Sequence, residues 1–218
     1  MKLVTKYLKA LSLLVIAITL SAALPQSSQA TPAQALFAET LSAGGNHTCR
    51  ITSSNKATCW GDNKYGQSFV PQDLGSINQI SSGENHTCAI TAEKQVRCWG
   101  LNTDGQSAPP EDLGTAKQVR AGSNHTCAVT TSGQARCWGN NNNKQTSVPK
   151  GLGPITQISV GNSATCAVLS NQTAKCWGSA PAVPSSLGKV IRIETAWGTS
   201  CAITTLFAVK CWGINDQG

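Results

Sequence analysis

The chain has 218 residues, of which only 12% are charged, about half the roughly 25% of ordinary soluble domains. From Thr31 onward it carries 14 basic and 10 acidic residues, a net charge of +4. That balance is too mild to argue for a nucleic-acid partner. Gly, Asn, Ser and Thr take the place of the missing charges, as in chains made of many short strands and turns.

Residues 1–30 read as a secretory signal peptide. Lys2, Lys6 and Lys9 form a basic start, Leu11 to Leu24 is an apolar run, and Ser28-Gln29-Ala30 is a small-x-small cleavage site. No second apolar run follows, so the chain after cleavage is expected to hold no membrane span. The expected location is secreted or extracytoplasmic, either extracellular or periplasmic. Ten cysteines in an exported chain read as disulfides.

Residues 31–218 are organised by the cysteines. Five times one cysteine is followed ten positions later by a second that precedes Trp-Gly: Cys49/Cys59, Cys88/Cys98, Cys127/Cys137, Cys166/Cys176 and Cys201/Cys211. The first cysteines step by 39, 39, 39 and 35 residues. A period of this size means one supersecondary unit stacked repeatedly. The repeats fall near 37–75, 76–114, 115–153, 154–188 and 189–218. Each reads as a short strand (NQISSG in the second repeat), a second (NHTCAIT), a third (QVRCWG) and a longer connection.

The second and third strands form a hairpin. Setting Cys127 opposite Cys137 pairs Thr130 with Gln134 and leaves Thr131-Ser132-Gly133 as a three-residue loop. Such loops end in a left-handed residue, which Gly133 supplies; Asn55 holds that place in the first repeat. Counting outward makes the cysteine pair non-hydrogen-bonded, with Cα atoms about 4.5 Å apart, so each repeat can staple its own hairpin. Alternation then puts His86, Cys88, Ile90, Val96 and Cys98 on one face and Thr87, Ala89, Arg97 and Trp99 on the other. Both faces carry apolar bulk, so both need cover. Radial blades, each Trp face against its neighbour's disulfide face, provide it. The predicted fold is therefore an all-β propeller of short antiparallel three- to four-stranded blades.

The strings GENHTCAITAEKQVRCWGLNTDGQ and GSNHTCAVTTSGQARCWGNNNNKQ resemble the repeat of the regulator of chromosome condensation family, in its exported, bacterial, disulfide-containing branch. The resemblance covers nearly all of the chain after Leu36. It implies a seven-bladed propeller, whereas five repeats are present here. Gly218 aligns with Gly66 and Gly105 inside the motif. Two readings stand: the sequence is a piece of a longer protein, which is preferred, or five blades close on themselves.

The recurrent slots are read as structural. His47, His86 and His125 are expected to hydrogen-bond a turn between blades rather than bind metal. Trp60, Trp99, Trp138, Trp177 and Trp212 are expected in the core. Arg97, Arg136, Lys175 and Lys210 are expected to lie along the Trp face and reach solvent. No nucleophile elbow, phosphate loop, paired carboxylates or cofactor motif occurs, so no enzyme activity and no cofactor are expected.

The expected function is a non-enzymatic scaffold that binds a protein. Alternatives are a lectin-like propeller for a glycan, or a structural, adhesive surface domain. A lectin with equivalent sites would repeat its loops, yet Lys64-Tyr65, Thr103-Asp104, Asn142-Asn143 and Asp216-Gln217 all differ. Strand direction puts these loops at the same end as the turn between strands one and two, with Glu84, Asn85, Ser123, Asn124, Asn162 and Trp197. Trp197 lies outside the repeat pattern. The expected binding residues are Tyr65 and Trp197 as anchors, with Lys64, Glu84, Thr103, Asp104, Asn142 and Asn143 around them.

Overall fold

The computed structural model describes residues 40–214, all within one compact unit spanning Phe37–Gly218. The signal-peptide reading and the Asp216-Gln217 loop lie outside the described residues. Among the described residues, fifteen strands make five separate three-stranded antiparallel sheets in chain order. The blades are β1–β3 (Leu41–Ala43, His47–Ile51, Ala57–Gly61), β4–β6 (Ile77–Ser82, His86–Thr91, Val96–Gly100) and β7–β9 (Ala116–Ala121, His125–Thr130, Ala135–Gly139). Then follow β10–β12 (Ile155–Val160, Ala164–Leu169, Ala174–Gly178) and β13–β15 (Val190–Thr195, Thr199–Thr204, Val209–Gly213). Of the three- to four-stranded blades expected, the three-stranded form is observed. A single turn of 3-10 helix at Glu111–Leu113 interrupts one connection.

The hairpin follows from its loop. Thr130 N–H donates to Gln134 C=O and Gly133 N–H to Thr130 C=O, both at 2.9 Å, with Gly133 at φ +86°. The same left-handed place is taken by Asn55, Lys94, Gln172 and Phe207. That register sets each first cysteine opposite its second. All five predicted disulfides form, Cys49–Cys59, Cys88–Cys98, Cys127–Cys137, Cys166–Cys176 and Cys201–Cys211, with Cα atoms 4.0–4.1 Å apart.

The blades pack as the alternation predicts. Trp99 and Ala89 of the second blade lie in one buried cluster with Cys49 of the first. Trp138 and Ala128 join Cys88, and Trp177 and Ala167 join Cys127. These three tryptophans are buried, whereas Trp60 is 49% exposed because no blade among the described residues covers its face.

The first strand of each blade is innermost and would present a bare edge, which neighbouring blades cover. A β-bulge in β4, β7 and β10 re-aims Gln79, Gln118 and Gln157. Their Oε1 atoms accept the backbone N–H of Val119, Ile158 and Ile193 in the following blade at 2.8–2.9 Å. Ser42, Ser81 and Ser159 Oγ do the same for Ser82, Ala121 and Thr195. Backbone that would otherwise invite an added strand is thereby used to fasten blade to blade.

Candidate binding site at the axial mouth

Two kinds of loop meet at one end of the propeller, and backbone bonds fix this. The turn between the first two strands accepts from the start of the long connection: Asp62 N–H donates to Asn46 C=O, Leu101 to Asn85 and Asn140 to Asn124, at 2.8–2.9 Å. The other end holds the hairpin loops, where the connections arrive: Ile77 N–H donates to Asn55 C=O and Ala116 to Lys94.

Behind this rim lies a clamp repeated at three blade interfaces. Thr87 Oγ1 donates its only proton to Gln67 C=O at 2.8 Å, and Trp99 Nε1 donates to the same carbonyl at 3.0 Å. The threonine must therefore accept from His47 Nε2–H, 2.8 Å away in the preceding blade. His86, Thr126, Gln106 and Trp138 repeat the arrangement, as do His125, Thr165, Gln145 and Trp177. With Nε2 protonated and Nδ1 without a hydrogen-bond partner, these rings are neutral. Burial pushes His86 down to about 3, helped by the neighbouring His125 and His47, and His125 down to about 4. The histidines thus bridge blades, though through a strand threonine rather than a turn.

The glutamines are the keystones that sequence reasoning missed. Gln67, Gln106 and Gln145 are almost completely buried. Each backbone carbonyl serves the clamp, while each Oε1 accepts the N–H of Tyr65, Asp104 or Asn143 at 2.8–2.9 Å. Their signal was available: they recur at a step of 39, as do Gln79, Gln118 and Gln157.

In front of the clamp, the inner turns surround a cavity of about 450 Å³ to which all five blades contribute. Gly44, Gly83 and Gly122 must be glycine, because a Cβ there would collide with the carbonyl of the next blade's turn. The following residue differs from turn to turn: Gly45, Glu84, Ser123, Asn162 and Trp197. Gly45, Glu84 and Ser123 donate their N–H to the glycine carbonyl of the next blade at 3.1–3.3 Å, which closes the turns against one another. Trp197 is 73% exposed. Deeper in the inner strands, Glu194 joins three blades. It accepts from Ser159 at 2.8 Å and pairs with Arg192 at 3.0 Å and Arg120 at 3.7 Å.

Of the residues expected from sequence, Glu84 and Trp197 line the cavity. Lys64, Tyr65, Thr103, Asp104, Asn142 and Asn143 lie on the connections at the same end but do not line it. Lys64 Nζ stands 5.1 Å from the Tyr65 ring centroid. Asp104 accepts from Asn140 at 3.2 Å. The basic slot is more ordered than expected, since Arg97 pairs with Asp73 at 2.9 Å and Arg136 with Asp112 at 2.6 Å.

Blades stapled by disulfides, clamped through histidine and glutamine and open at one axial mouth define an all-β repeat propeller. The regulator of chromosome condensation (RCC1) repeat matches residues 39–67, 77–106, 116–145 and 155–180, and the chain belongs to that family. It matches no curated protein sequence. Among solved structures it is similar to the ectodomain of the Physcomitrella patens receptor kinase CR4 (25% identity, TM-score 0.69), covering 82% of this chain and 52% of that one. It is also similar to human WBSCR16 (17%, 0.71; 79% and 61%) and to Prp20p of Saccharomyces cerevisiae (16%, 0.67; 81% and 57%). The chain thus spans between half and two thirds of the length of these relatives.

Proposed function

We propose that the protein is an exported, non-enzymatic scaffold that binds another protein at the axial mouth. One observation carries this reading. Five turns, one per blade, bring five different residues around a single cavity, with the exposed Trp197 among them. A repeat protein that reads a repeated ligand keeps its loops alike, whereas one composite surface lets each copy diverge. An aromatic anchor ringed by polar groups is the composition of protein hot spots. Five disulfides fit an oxidising compartment. Prp20p, whose fold is the same, is described by its binding to Gsp1p and histones.

The test begins with chemical cross-linking and capture of partners from the producing organism's surroundings, beside a glycan array. Against the captured protein, in the absence of lipid, Trp197→Ala and Tyr65→Ala are each expected to weaken binding by more than about 1 kcal/mol. Silence of both, with loss of binding on Glu93→Ala at the hairpin end, would place the site on the wrong face. Selective glycan binding without a protein partner would replace the reading by the lectin-like one.

A further inference from the structure

The fifth hairpin loop breaks a rule that the other four keep. The tip and left-handed positions read Ser54-Asn55, Glu93-Lys94, Ser132-Gly133 and Asn171-Gln172 in the first four blades, and Leu206-Phe207 in the fifth. Leu206 is 87% exposed and Phe207 80%. The tip residues Ser54, Glu93, Ser132 and Asn171 are exposed even in blades covered by a following blade. So are Asn55, Lys94 and Gln172 at the left-handed position, where Gly133 alone is buried, against Pro154. Phe207 also adopts φ +60°, a conformation that costs a bulky side chain energy and that Asn55 or Gly133 takes far more easily. Two apolar side chains are thus held out in water, one of them at a strained position, where polar residues suffice. The turn imposes this conformation in all five loops, so what sets the fifth apart is its pair of apolar side chains.

The surroundings of this tip identify what it meets. Lys189 adjoins it, its carbonyl accepting Thr205 N–H at 3.0 Å, and its Nζ reaches Asn171 C=O of the neighbouring hairpin at 2.7 Å. Lys56, Lys94 and Lys117 stand exposed at the same end of the first three blades, and Glu93 is the one acid in the described hairpin loops. The lysines are spread across the whole hairpin end rather than gathered round one groove. Apolar tips set among dispersed cations fit a broad, flat, negatively charged surface with an apolar interior.

We propose that the hairpin end docks on an anionic lipid bilayer, with Leu206 and Phe207 entering the interface and Lys56, Lys94, Lys117 and Lys189 facing the headgroups. The surface is peripheral, needs no membrane span, and leaves the axial mouth at the opposite end free. It stands independently of the protein-binding reading.

The test is co-sedimentation of the chain from Thr31 onward, which contains the whole compact unit, with vesicles of phosphatidylcholine alone and with about 30% phosphatidylglycerol. The expected result is binding to the anionic vesicles only, weakened by raised salt. The double variant Leu206→Ser/Phe207→Asn should lose at least about tenfold in affinity. It should fold at least as stably as the parent, because Asn relieves the strained position; urea midpoints verify this. Lys56→Glu/Lys94→Glu/Lys117→Glu should abolish binding while the disulfides stay formed. Equal binding to neutral vesicles, no binding to either, or undiminished binding by the Leu206/Phe207 variant would each overturn the proposal. So would binding to an isolated protein, through the same two residues, in place of the vesicles.

Discussion

The interface between the fourth and fifth blades is built differently from the three before it. At the first three, a histidine, a threonine, a glutamine carbonyl and a tryptophan close one clamp, with Trp Nε1–H to carbonyl distances of 2.9–3.0 Å. At the fourth, Ala164 holds the histidine place, Ser200 turns to Thr195 of its own blade, and Trp212 reaches Pro181 C=O at 3.4 Å and is only partly buried. Yet the fifth blade keeps its disulfide, its hairpin register and its left-handed loop residue. The shape of a blade is set within its own repeat. The grip between blades is a separate property that needs residues from two repeats and a connection, and it can be lost alone. What remains at the fourth interface is an apolar cluster of Cys166, Val190, Ile193 and Ala202 with Trp212 at its edge. The inner stitching remains too, where Gln157 holds both N–H and C=O of Ile193 at 2.8–2.9 Å and Glu194 gathers Ser159, Arg192 and Arg120.

The largest test of this contrast is at the tryptophans. Trp138→Ala removes a buried side chain and leaves the Gln106 carbonyl with one donor fewer, so it should cost about 3–5 kcal/mol. Trp212→Ala, at a more open position with a longer hydrogen bond, should cost less than half as much. Urea midpoints of the two variants measure it. Equal losses would mean that the clamp adds nothing beyond burial.

Most of the architecture was legible in the sequence because it is local. The spacing of Cys127 and Cys137, the Gly133 loop and the alternation of Thr126, Ala128 and Trp138 against Cys127 are all properties of one hairpin. The grip was half legible. The histidines were read as bridging, but their partner, a threonine 40 residues on, and the glutamine carbonyl behind it are joined only by the stacking of blades. Gln79, Gln118 and Gln157 were overlooked because a polar residue in an inner strand looks like a solvent position until a bulge aims it at the next blade's edge. At the candidate site, direction of strands was enough to group the loops by end. It was not enough to separate Glu84 and Trp197, which line the cavity, from Tyr65 and Asp104, which sit farther out.

A second test uses pH. An unfolded histidine titrates near 6.5, whereas folded His86 does so at about 3 and His125 at about 4. Folded pKa values lie below unfolded ones, so the unfolded chain takes up protons first. Stability is then full above 6.5 and falls as pH drops, until the folded values are reached. At about pH 4.5 each of the two should have lost roughly 2–3 kcal/mol. Asp73, held below the usual carboxylate range by its hydrogen bond from Arg97, keeps its contribution across this window and loses it only at lower pH. Hydrogen exchange should show the first three interfaces loosening over this window. The fourth, with Ala164, should stay unchanged. Uniform protection from pH 6.5 to 4.5 would contradict the neutral, buried assignment.

The smallest effect expected lies on the outer wall, where the contrast reverses. Arg136 pairs with Asp112, 24 residues earlier, and Arg97 with Asp73 at the same spacing. In the last two blades the cation is kept and the acid is gone. Lys175 has Gly151 at that spacing, and Lys210 bonds the Ser186 carbonyl at 2.9 Å instead. The fourth blade nonetheless packs against the third with Trp177 buried and bonded to Gln145 C=O at 2.9 Å. An interface that closes fully without the ion pair shows how little the pair contributes. The Asp112 and Arg136 side chains are 76% and 35% exposed, so water and salt screen them. Asp112→Ala should therefore cost under about 1 kcal/mol, and the loss should shrink further in high salt. A salt-independent loss comparable to that of Trp138→Ala would reverse the ranking of clamp over ion pair.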